Sequence, residues 1–372
     1  MGVTAPAEPR AIAERFDLGG PIESIHSLPG GHINDSYRVD VRPTGAVSLS
    51  SFLLQRVNPL VFPRPDLVME NVANVTRHLA SRLAAAGVVD RHRRALVLIP
   101  TLAGGDCVTT ADGACWRVFR FIAETVVHEH VRGPDDAGAA GRAFGEFLRL
   151  LADYDGPPLH ETIPGFHDTV ARFARLEAAV RADPCGRANA ARPEIVAVMA
   201  VRGLVDRLPP LVAAGGIPVR IVHNDAKLAN VLLDRRTNEA LCVIDLDTVM
   251  PGLLLHDFGD LVRSVTSPTA EDEADLARVG VQEPLFKALA GGFLKAVGVV
   301  LTRAERDNLV FGGQVITLEQ AVRFLTDHLE GDRYYRTSRP DHNLIRCRTQ
   351  LKLFTTITET KPVLDAIVAR LS

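Results

Sequence analysis

Residues 221–230 of the chain read IVHNDAKLAN, and a later apolar run ends in VID at positions 243–245. The first stretch has the pattern HxDxKxxN, in which Asp225 and Asn230 flank four residues, and the second ends in Asp245. Short apolar runs on both sides of a polar loop predict paired strands, which would bring the loop and Asp245 together. The fold therefore has to arrange the rest of the chain around this polar loop.

The polar residues of these two stretches meet the chemical needs of phosphoryl transfer from ATP. One carboxylate must orient the attacking hydroxyl and accept its proton, which fits Asp225, and a second must hold Mg²⁺ on the phosphates, which fits Asp245. The Asn230 amide oxygen would complete the metal shell, and the Lys227 ammonium would offset charge at the transferring phosphoryl group. The spacing of Asp225 and Asn230 is that of a kinase catalytic loop. A strand–turn–strand with ordinary polar turn residues is the alternative interpretation.

Three further aspartates follow this loop. Residues 257–259 spell DFG, but they lie well beyond Asp245 and read as the start of a helix. We therefore expect Asp257 or Asp260 to cap that helix or to brace the catalytic loop. Asp247 is open between pointing away from the metal and reaching the metal or the substrate.

The first third of the chain is predicted to hold the nucleotide. Gly30 and Gly31 lie between two predicted strands, where glycine lets a hairpin cover phosphates with backbone N–H groups; a plain hairpin turn is the alternative. The next strand contains no lysine, so Arg56 is its nearest cation, and Glu70 on the following helix is the predicted partner of Arg56. The alternative is that both side chains are solvated.

Strand patterns dominate up to about residue 122, and helical patterns dominate after it. Strands are predicted at 22–26, 36–41, 51–57, 96–100 and 114–122, with one helix that begins at an Asp66 N-cap and stops at Gly87. Later helices are predicted at 136–151, 168–181, 194–207 and from 256 onward, and later strands at 219–223, 231–234 and 240–245. This profile predicts an α+β fold of two lobes, a nucleotide-binding lobe at 1–122 and a catalytic lobe at 123–372. The end of the last strand of the first lobe, with Phe121 and Glu124, is the predicted place for adenine.

Composition excludes several classes of protein. The 372 residues are 47% hydrophobic and 23% charged with a net charge of −3, which is against a strongly basic nucleic-acid binder. No apolar stretch approaches the ~20 residues that span a bilayer, and the amino terminus does not read as a secretory signal. The five cysteines form no CxxC pair, so free thiols in a reducing compartment are expected. We expect a cytoplasmic protein that binds neither membrane nor nucleic acid, with an oligomeric state left open between monomer and dimer.

The chain resembles the aminoglycoside-phosphotransferase/choline-kinase superfamily of small-molecule kinases and, within it, the N-acetylhexosamine 1-kinases. The resemblance lies in GGHINDSY (30–37), LLQRVNPLVFPRPDLVMENV (53–72), IPGFHDT (163–169), HNDAKLANVL (223–232), VIDLDTVMPG (243–252), RFLTDHLEGDRYY (323–335) and HNLIRCRTQ (342–350). It implies a protein-kinase-like bilobal fold and transfer of the ATP γ-phosphoryl group, with Mg²⁺, to the anomeric hydroxyl of GlcNAc or GalNAc. Asp225 is then the base and Asp245 the magnesium ligand.

The resemblance also implies contacts to the acceptor. Arg323, Asp327 and Tyr334 correspond to a sugar-binding wall, and Arg323 and Asp327 are four residues apart on one predicted helix face. A surface ion pair is the alternative for those two. His32 and Asp35 would approach the substrate or the phosphates from the first lobe.

Two other functions compete with the sugar kinase. Alanines at positions 226 and 229 stand where sugar kinases are expected to have polar residues, so an aminoglycoside, an amino alcohol or another sugar-like compound remains a candidate acceptor. A non-catalytic nucleotide-binding protein is the third interpretation. The presence of Asp225, Asn230 and Asp245 together argues against it.

Overall fold

The first part of the chain is built around a five-stranded antiparallel sheet. The computed structural model describes residues 7–28, 34–45 and 48–371. The strands of this sheet are β1 (Ile22–Ser27), β2 (Asp35–Val41), β3 (Ser50–Val57), β4 (Val108–Thr109) and β5 (Cys115–Arg120). Their order across the sheet is β1-β2-β3-β5-β4, and every pair is antiparallel. The predicted Gly30, Gly31 and His32 lie outside the described residues.

Both faces of this sheet are covered. Helix α1 (Ala7–Ala13) lies on one face, where the cluster of buried residues includes Leu54 of β3 and Trp116 of β5. Helix α2 (Pro65–Ala85) belongs to the cluster on the other face, which includes Val57. A sheet that is buried on both faces lacks the alternation of apolar and polar residues that would reveal which side chains face which way. This ambiguity affects the prediction of the nucleotide site.

The remainder of the chain is mainly helical, with short strands around the catalytic loop. These strands are β6 (Thr125–Val126), β7 (Arg220–Val222), β8 (Val231–Asp234), β9 (Ala240–Val243) and β10 (Met250–Gly252), arranged as the sheet β6-β8-β9 and the pair β7-β10. The helices are α3 (Pro134–Leu151), α4 (Thr169–Ala182), α5 (Arg192–Ala200), α6 (Leu208–Ala213), α7 (Leu254–Val265), α8 (Glu283–Val297), α9 (Arg303–Asp307), α10 (Leu309–Leu329) and α11 (His342–Leu371). The predicted α+β class, with a β-rich first region and a helical second one, is confirmed.

Helix α7 is packed tightly beneath the catalytic loop. A Cβ atom on Gly259 would lie 2.3 Å from the carbonyl oxygen of Gly312 in α10, so only glycine permits this crossing. The glycine of the DFG sequence is therefore a packing residue. In the structure that sequence is the buried core of a helix, and it does not form a metal-binding turn.

Some predicted boundaries are wrong. The predicted strand 96–100 forms only an isolated bridge, between Leu98 and Phe119, and it ends at Pro100, which has no N–H to continue a ladder. The predicted helix 194–207 ends as an α-helix at Ala200 and continues as a 3₁₀-helix. Asp66 lies in the first turn of α2 and is not its N-cap. No helix within residues 7–28, 34–45 and 48–371 combines the length and the apolar content needed to cross a membrane.

Candidate active site

The catalytic loop follows β7 and is held from below by α7. The Asp257 carboxylate accepts hydrogen bonds from the backbone N–H groups of His223, at 2.8 Å, and Asn224, at 2.7 Å. Asn224 has a φ of 63°, a left-handed conformation that asparagine tolerates better than most residues. The predicted bracing of the loop is confirmed for Asp257.

A single residue, Ile244, ties the segment that ends in Asp245 to the catalytic loop. Its N–H donates to the carbonyl oxygen of Asn230 at 2.9 Å, and its own carbonyl oxygen accepts from Nε2 of His223 at 2.9 Å. Nδ1 of the same ring accepts from the N–H of Asp225 at 3.3 Å, so His223 is neutral with its proton on Nε2. Burial lowers the pKa of His223, which agrees with this state. His223 therefore supports the loop through hydrogen bonds at both of its ring nitrogens.

Asp225 receives two side-chain donors. Lys227 Nζ lies 2.8 Å and Asn230 Nδ2 lies 2.9 Å from the same carboxylate oxygen. Burial opposes ionisation of Asp225, but the Lys227 ammonium outweighs it and holds the pKa of the carboxyl well below its usual range. The structure therefore brings together Asp225, Lys227 and Asn230, and the carboxylate is ionised and oriented.

Asp245 has no such partner. No donor or cation within the described part of the chain bonds to its carboxylate, which sits on a residue with a φ of 63°. Burial, then repulsion from Asp247 and Asp225, raises the pKa of Asp245 to about 7. A cation bound at this point would relieve that repulsion.

The residues around Asp245 fit a magnesium ion. Asn230 uses its Nδ2 on Asp225, so its amide carbonyl oxygen is the atom that can bind a metal. The described residues contain no group of three or more His, Cys, Asp or Glu side chains arranged for a metal. Two protein oxygens are nevertheless what Mg²⁺ uses when substrate phosphates and water supply the other positions.

Asp247, two residues on, is fully compensated. Its carboxylate bonds to the guanidinium of Arg117 on β5, and Nδ2 of Asn34 donates to it at 2.7 Å. The side chains of Arg117 and Asp247 are each only 2% exposed. Arg117 also donates to Gln55 of β3 at 3.0 Å. Asp247 therefore points to the first sheet.

The predicted pair of Arg56 and Glu70 is wrong. Arg56 forms an ion pair with Asp112 at 3.5 Å and lies 6.0 Å from the Trp116 ring centroid, on the sheet face that α1 covers. The Glu70 carboxylate lies 2.7 Å from Nε2 of His160. The side chains that face Asp247 are instead those of Gln55 and Arg117, because successive residues of a strand point to opposite faces.

The same alternation of faces places Asp35 on the side of the sheet away from Asp247. Asp35 lies opposite Arg56 in the sheet and shares a face with Tyr37. The neighbouring Asn34 is the residue that reaches Asp247. The predicted approach of Asp35 to the substrate is therefore wrong in this structure.

Phe121 and Glu124 lie in the segment that joins the two parts of the chain. The Phe121 ring packs 5.2 Å from the Arg38 guanidinium, and the Glu124 carbonyl oxygen accepts from the N–H of Arg235 at 3.0 Å. Both residues line a cavity of about 940 Å³ that also touches the turn after β8. No catalytic-loop residue lines this cavity. Adenine recognition by Phe121 and Glu124 stays a prediction.

Arg323, which the sequence assigns to a sugar-binding wall, lies within a cluster of aromatic rings. The Arg323 guanidinium lies 5.1 Å from the ring of Phe166, 5.8 Å from that of Tyr334 and 5.6 Å from that of Tyr335. Asp327 is committed elsewhere: its two oxygens accept from the N–H groups of residues 333, 334 and 335 and from the Asn343 amide. Asp327 shapes the loop that carries Tyr334, whereas Arg323 and Tyr334 remain candidates for contact with the acceptor.

Sequence reasoning missed a charged pair between this wall and the catalytic loop. His167 Nδ1 donates to the Glu319 carboxylate at 2.8 Å, and its Nε2 donates to the carbonyl oxygen of Asn224 at 3.0 Å. Two donating nitrogens require an imidazolium, and Glu319 outweighs burial in raising the pKa of His167. Glu319 itself has its pKa lowered to about 2, since His167 outweighs the cost of burial. A histidine in the quoted stretch 163–169 was the only signal for this pair.

Comparisons with known proteins agree with the fold. A family model described as the phosphotransferase enzyme family matches residues 24–290, which include the catalytic loop and Asp245. A microcompartment-associated aminopropanol kinase superimposes with a TM-score of 0.58 at 16% identity, with 97% of this chain and 98% of that one covered. An aminoglycoside phosphotransferase from Alicyclobacillus acidocaldarius gives 0.57 at 13% identity, with coverage of 99% and 97%. An amicoumacin kinase, solved in complex with AMP-PNP, Ca²⁺ and Ami, gives 0.58 at 14% identity, with coverage of 93% and 92%. These structures share the fold with this chain.

Proposed function

The chain belongs to the phosphotransferase enzyme family, and from that premise we propose that it is an ATP-dependent kinase of a sugar. It would transfer the γ-phosphoryl group to a hydroxyl, the anomeric hydroxyl of an N-acetylhexosamine in the most specific form of the proposal. The observation that carries it is the arrangement of Asp225, Lys227 and Asn230 beside the uncompensated carboxylate of Asp245. A reaction that uses ATP fits the cytoplasmic location expected from the sequence.

Asp225 is the group that receives the acceptor hydroxyl. Its carboxylate is ionised and held by Lys227 and Asn230, so it can accept a hydrogen bond from the hydroxyl and fix its direction of attack. The low pKa of Asp225 makes it a weak base, so the proton would pass to it late, when the hydroxyl oxygen is already bonding to phosphorus.

Lys227 and the metal-binding residues complete the site. The Lys227 ammonium lies 2.8 Å from the Asp225 carboxylate and would offset charge on the phosphoryl group. Asn230 and Asp245 would hold Mg²⁺, which supplies neutralisation of the phosphate charge. Arg117 and Gln55 lie on the face of the first sheet that looks toward Asp247, and Arg117 is bonded to the Asp247 carboxylate.

The proposal is tested by the identity of the product. The protein is incubated with ATP, Mg²⁺ and N-acetylglucosamine, and the product is examined by ³¹P NMR. We expect a phosphate on the anomeric oxygen, seen by its coupling to the anomeric proton. Phosphate on another hydroxyl would reject the anomeric assignment. If an aminoglycoside or an amino alcohol stimulates ADP release and no sugar does, the sugar assignment fails and the family-level activity stands.

A further inference from the structure

Two arginines on neighbouring helices line the same small cavity, and neither forms an ion pair among the described residues. Arg172 of α4 donates to the carbonyl oxygen of Phe166 at 2.9 Å, and Arg323 of α10 bonds to the amide oxygen of Gln320 at 3.3 Å. Within residues 7–28, 34–45 and 48–371, neither guanidinium has a carboxylate oxygen within ion-pair distance. In contrast, Arg175, one turn further along α4, is paired with Glu330.

The acid beside these two arginines balances their charge only in part. Burial opposes the charged form of Arg323, but Tyr335 and Glu319 outweigh it and raise the pKa of Arg323. The hydrogen bonds of the Glu319 oxygens are made to His167 and to the hydroxyl of Thr169. Burial, and then the positive charge of Arg323, lowers the pKa of Arg172. Nε of Arg172 is buried and has no partner in the described part of the chain. Two like charges and an unsatisfied donor together are a cost that an anion placed between them would remove.

The space between the arginines has the size of a small polar group. Arg172 and Arg323 line a cavity of about 30 Å³ together with Arg175, Thr326, Asp327, Glu330, Tyr334 and Tyr335. Both carboxylates in this lining are already bonded, that of Asp327 to the backbone of residues 333–335 and that of Glu330 to Arg175. The volume of the cavity is about the share of one water molecule, so it admits an oxygen atom or the tip of a carboxylate but not a ring. The aromatic rings around Arg323 cover its faces, which leaves the N–H edges of the guanidinium to bind a ligand.

A chain of contacts links Arg323 to the catalytic loop. The Phe166 ring packs against Arg323 at 5.1 Å and against His167 at 4.7 Å between centroids. His167 in turn donates to the carbonyl oxygen of Asn224, the residue before Asp225. The strongest charges acting on Asp245 are those of Asp247, Asp225, Lys227 and Arg117, so the two arginines do not belong to the metal side of the site.

We propose that Arg172 and Arg323 form an anion subsite that binds a carboxylate on the acceptor while the hydroxyl of that acceptor lies at Asp225. This inference rests on the proposed function, because it names the class of sugar that the same site accepts: an acidic sugar. Guanidinium groups bind carboxylates with paired, charge-assisted hydrogen bonds, which makes such a subsite selective for the acid. The same two charges repel an ammonium group, so cationic amino alcohols and aminoglycosides are excluded from it.

The test is a series of acceptors that differ only in charge at carbon 6. ADP release is measured with N-acetylglucosamine, with its 6-carboxylate, N-acetylglucosaminuronic acid, and with its 6-amino-6-deoxy derivative. We expect kcat/KM for the acid to exceed that for the neutral sugar by about tenfold to 100-fold, with the amine the poorest. Equal values for the acid and the neutral sugar, or a preference for the amine, would overturn the subsite and leave the kinase proposal intact.

Two variants test whether the preference for the acid depends on Arg172. Arg172→Gln is expected to lower kcat/KM for the acid about tenfold more than it lowers kcat/KM for the neutral sugar. Arg181→Gln, which removes the same charge from an exposed position of α4, is the matched control and should leave the preference for the acid unchanged. Loss of the preference in both variants would show a general charge effect and would contradict the subsite.

A binding measurement separates failure of the subsite from failure of the proposed function. Calorimetry is performed with the acid and with the neutral sugar, in the presence of Mg²⁺ and a non-hydrolysable ATP analogue. If none of the sugars is phosphorylated, but the acid binds at least about tenfold more tightly than the neutral sugar and only while Arg172 is present, the subsite stands and the sugar-kinase proposal falls. If the acid and the neutral sugar bind equally, or neither binds, the subsite is rejected.

Discussion

The two sides of the site carry unpaired charges of opposite sign. The floor, residues 223–230 with Asp245, presents an uncompensated carboxylate at Asp245. The wall, Arg172 and Arg323 with the rings around them, presents two guanidinium groups that form no ion pair among the described residues. A folded protein ordinarily pairs its buried charges, because an unpaired one is costly. The difference teaches that each region is complementary to a partner of opposite sign: a cation for the floor and an anion for the wall.

Neutralising the base of the floor is expected to have the largest effect. Asp225→Asn keeps the size of the side chain but removes the proton acceptor, so kcat should fall by ~10²–10⁴-fold. The dissociation constant of ATP, measured by calorimetry with Mg²⁺, should change little. Asp135→Asn, at an exposed position of α3, is the control and should keep full activity. Retained turnover in the Asp225 variant would remove Asp225 from the role of base.

The buried ion pair of Arg117 with Asp247, next to the floor, is expected to contribute to the free energy of unfolding. Arg117→Met leaves the Asp247 carboxylate charged and almost fully buried, and breaking such a pair costs about 3–5 kcal/mol of unfolding free energy. Arg56→Met is the matched control on the same sheet, since its pair with Asp112 is exposed and is worth at most about 1 kcal/mol. Both values are measured by urea denaturation. Similar losses for the two variants would contradict the assignment of the buried face to Arg117.

The region around Arg117 and Arg56 shows which parts of the site could be predicted from the sequence and which could not. The catalytic loop could be predicted because its residues are close in sequence and a single short hairpin brings Asp245 beside them. The predicted roles of Arg56 and Asp35 failed by one residue each, since Gln55 and Asn34 are the neighbours that face Asp247. A shift of one residue exchanges the faces of a strand, and burial of both faces removed the pattern that would have set the register.

Long-range partners could not be predicted for a different reason. The contact of Arg117 with Asp247 joins residues far apart in the chain, as does that of His167 with Glu319. Neither pair has a spacing that a helix or a hairpin imposes, so only the tertiary packing reveals it. Asp327 shows the converse error, because its helical spacing from Arg323 suggested a shared acceptor surface, whereas the following loop takes up its carboxylate.

Removing the uncompensated charge of the floor should separate activity from stability. Asp245→Asn deletes the proposed metal ligand, and since even indirect partners of a metal are worth 10–100-fold in affinity, the apparent affinity for Mg²⁺ should fall by at least ~100-fold. The same change relieves repulsion from Asp247 and Asp225, so the melting temperature without nucleotide and metal should rise. Activity is titrated with Mg²⁺, and melting is followed by calorimetry. A lower melting temperature in that state would contradict the view that Asp245 is uncompensated.

The smallest effect is expected at His167 and Glu319, the pair that joins the wall to the floor. The pKa of His167 is raised above its ordinary value, so its imidazolium is present at low pH and is lost as the pH rises through that raised pKa. Glu319→Gln removes the main cause of the raised pKa, so the loss should begin at a lower pH. At pH 8 we expect kcat/KM to fall about tenfold, because one hydrogen bond to the carbonyl oxygen of Asn224 is weakened, and at pH 6 we expect less.

The pH dependence distinguishes a positioning role from simple destabilisation. Glu177→Gln serves as the control, since Glu177 of α4 pairs with Arg202 and lines no part of the cavity between Arg172 and Arg323. Its profile of kcat/KM between pH 6 and pH 9 should follow that of the unmodified protein. A Glu319→Gln profile that is lower by the same factor at every pH would mean that His167 carries no charge when it supports the floor. The wall and the floor would then be joined by packing alone, and the opposite charges of the two regions would act independently.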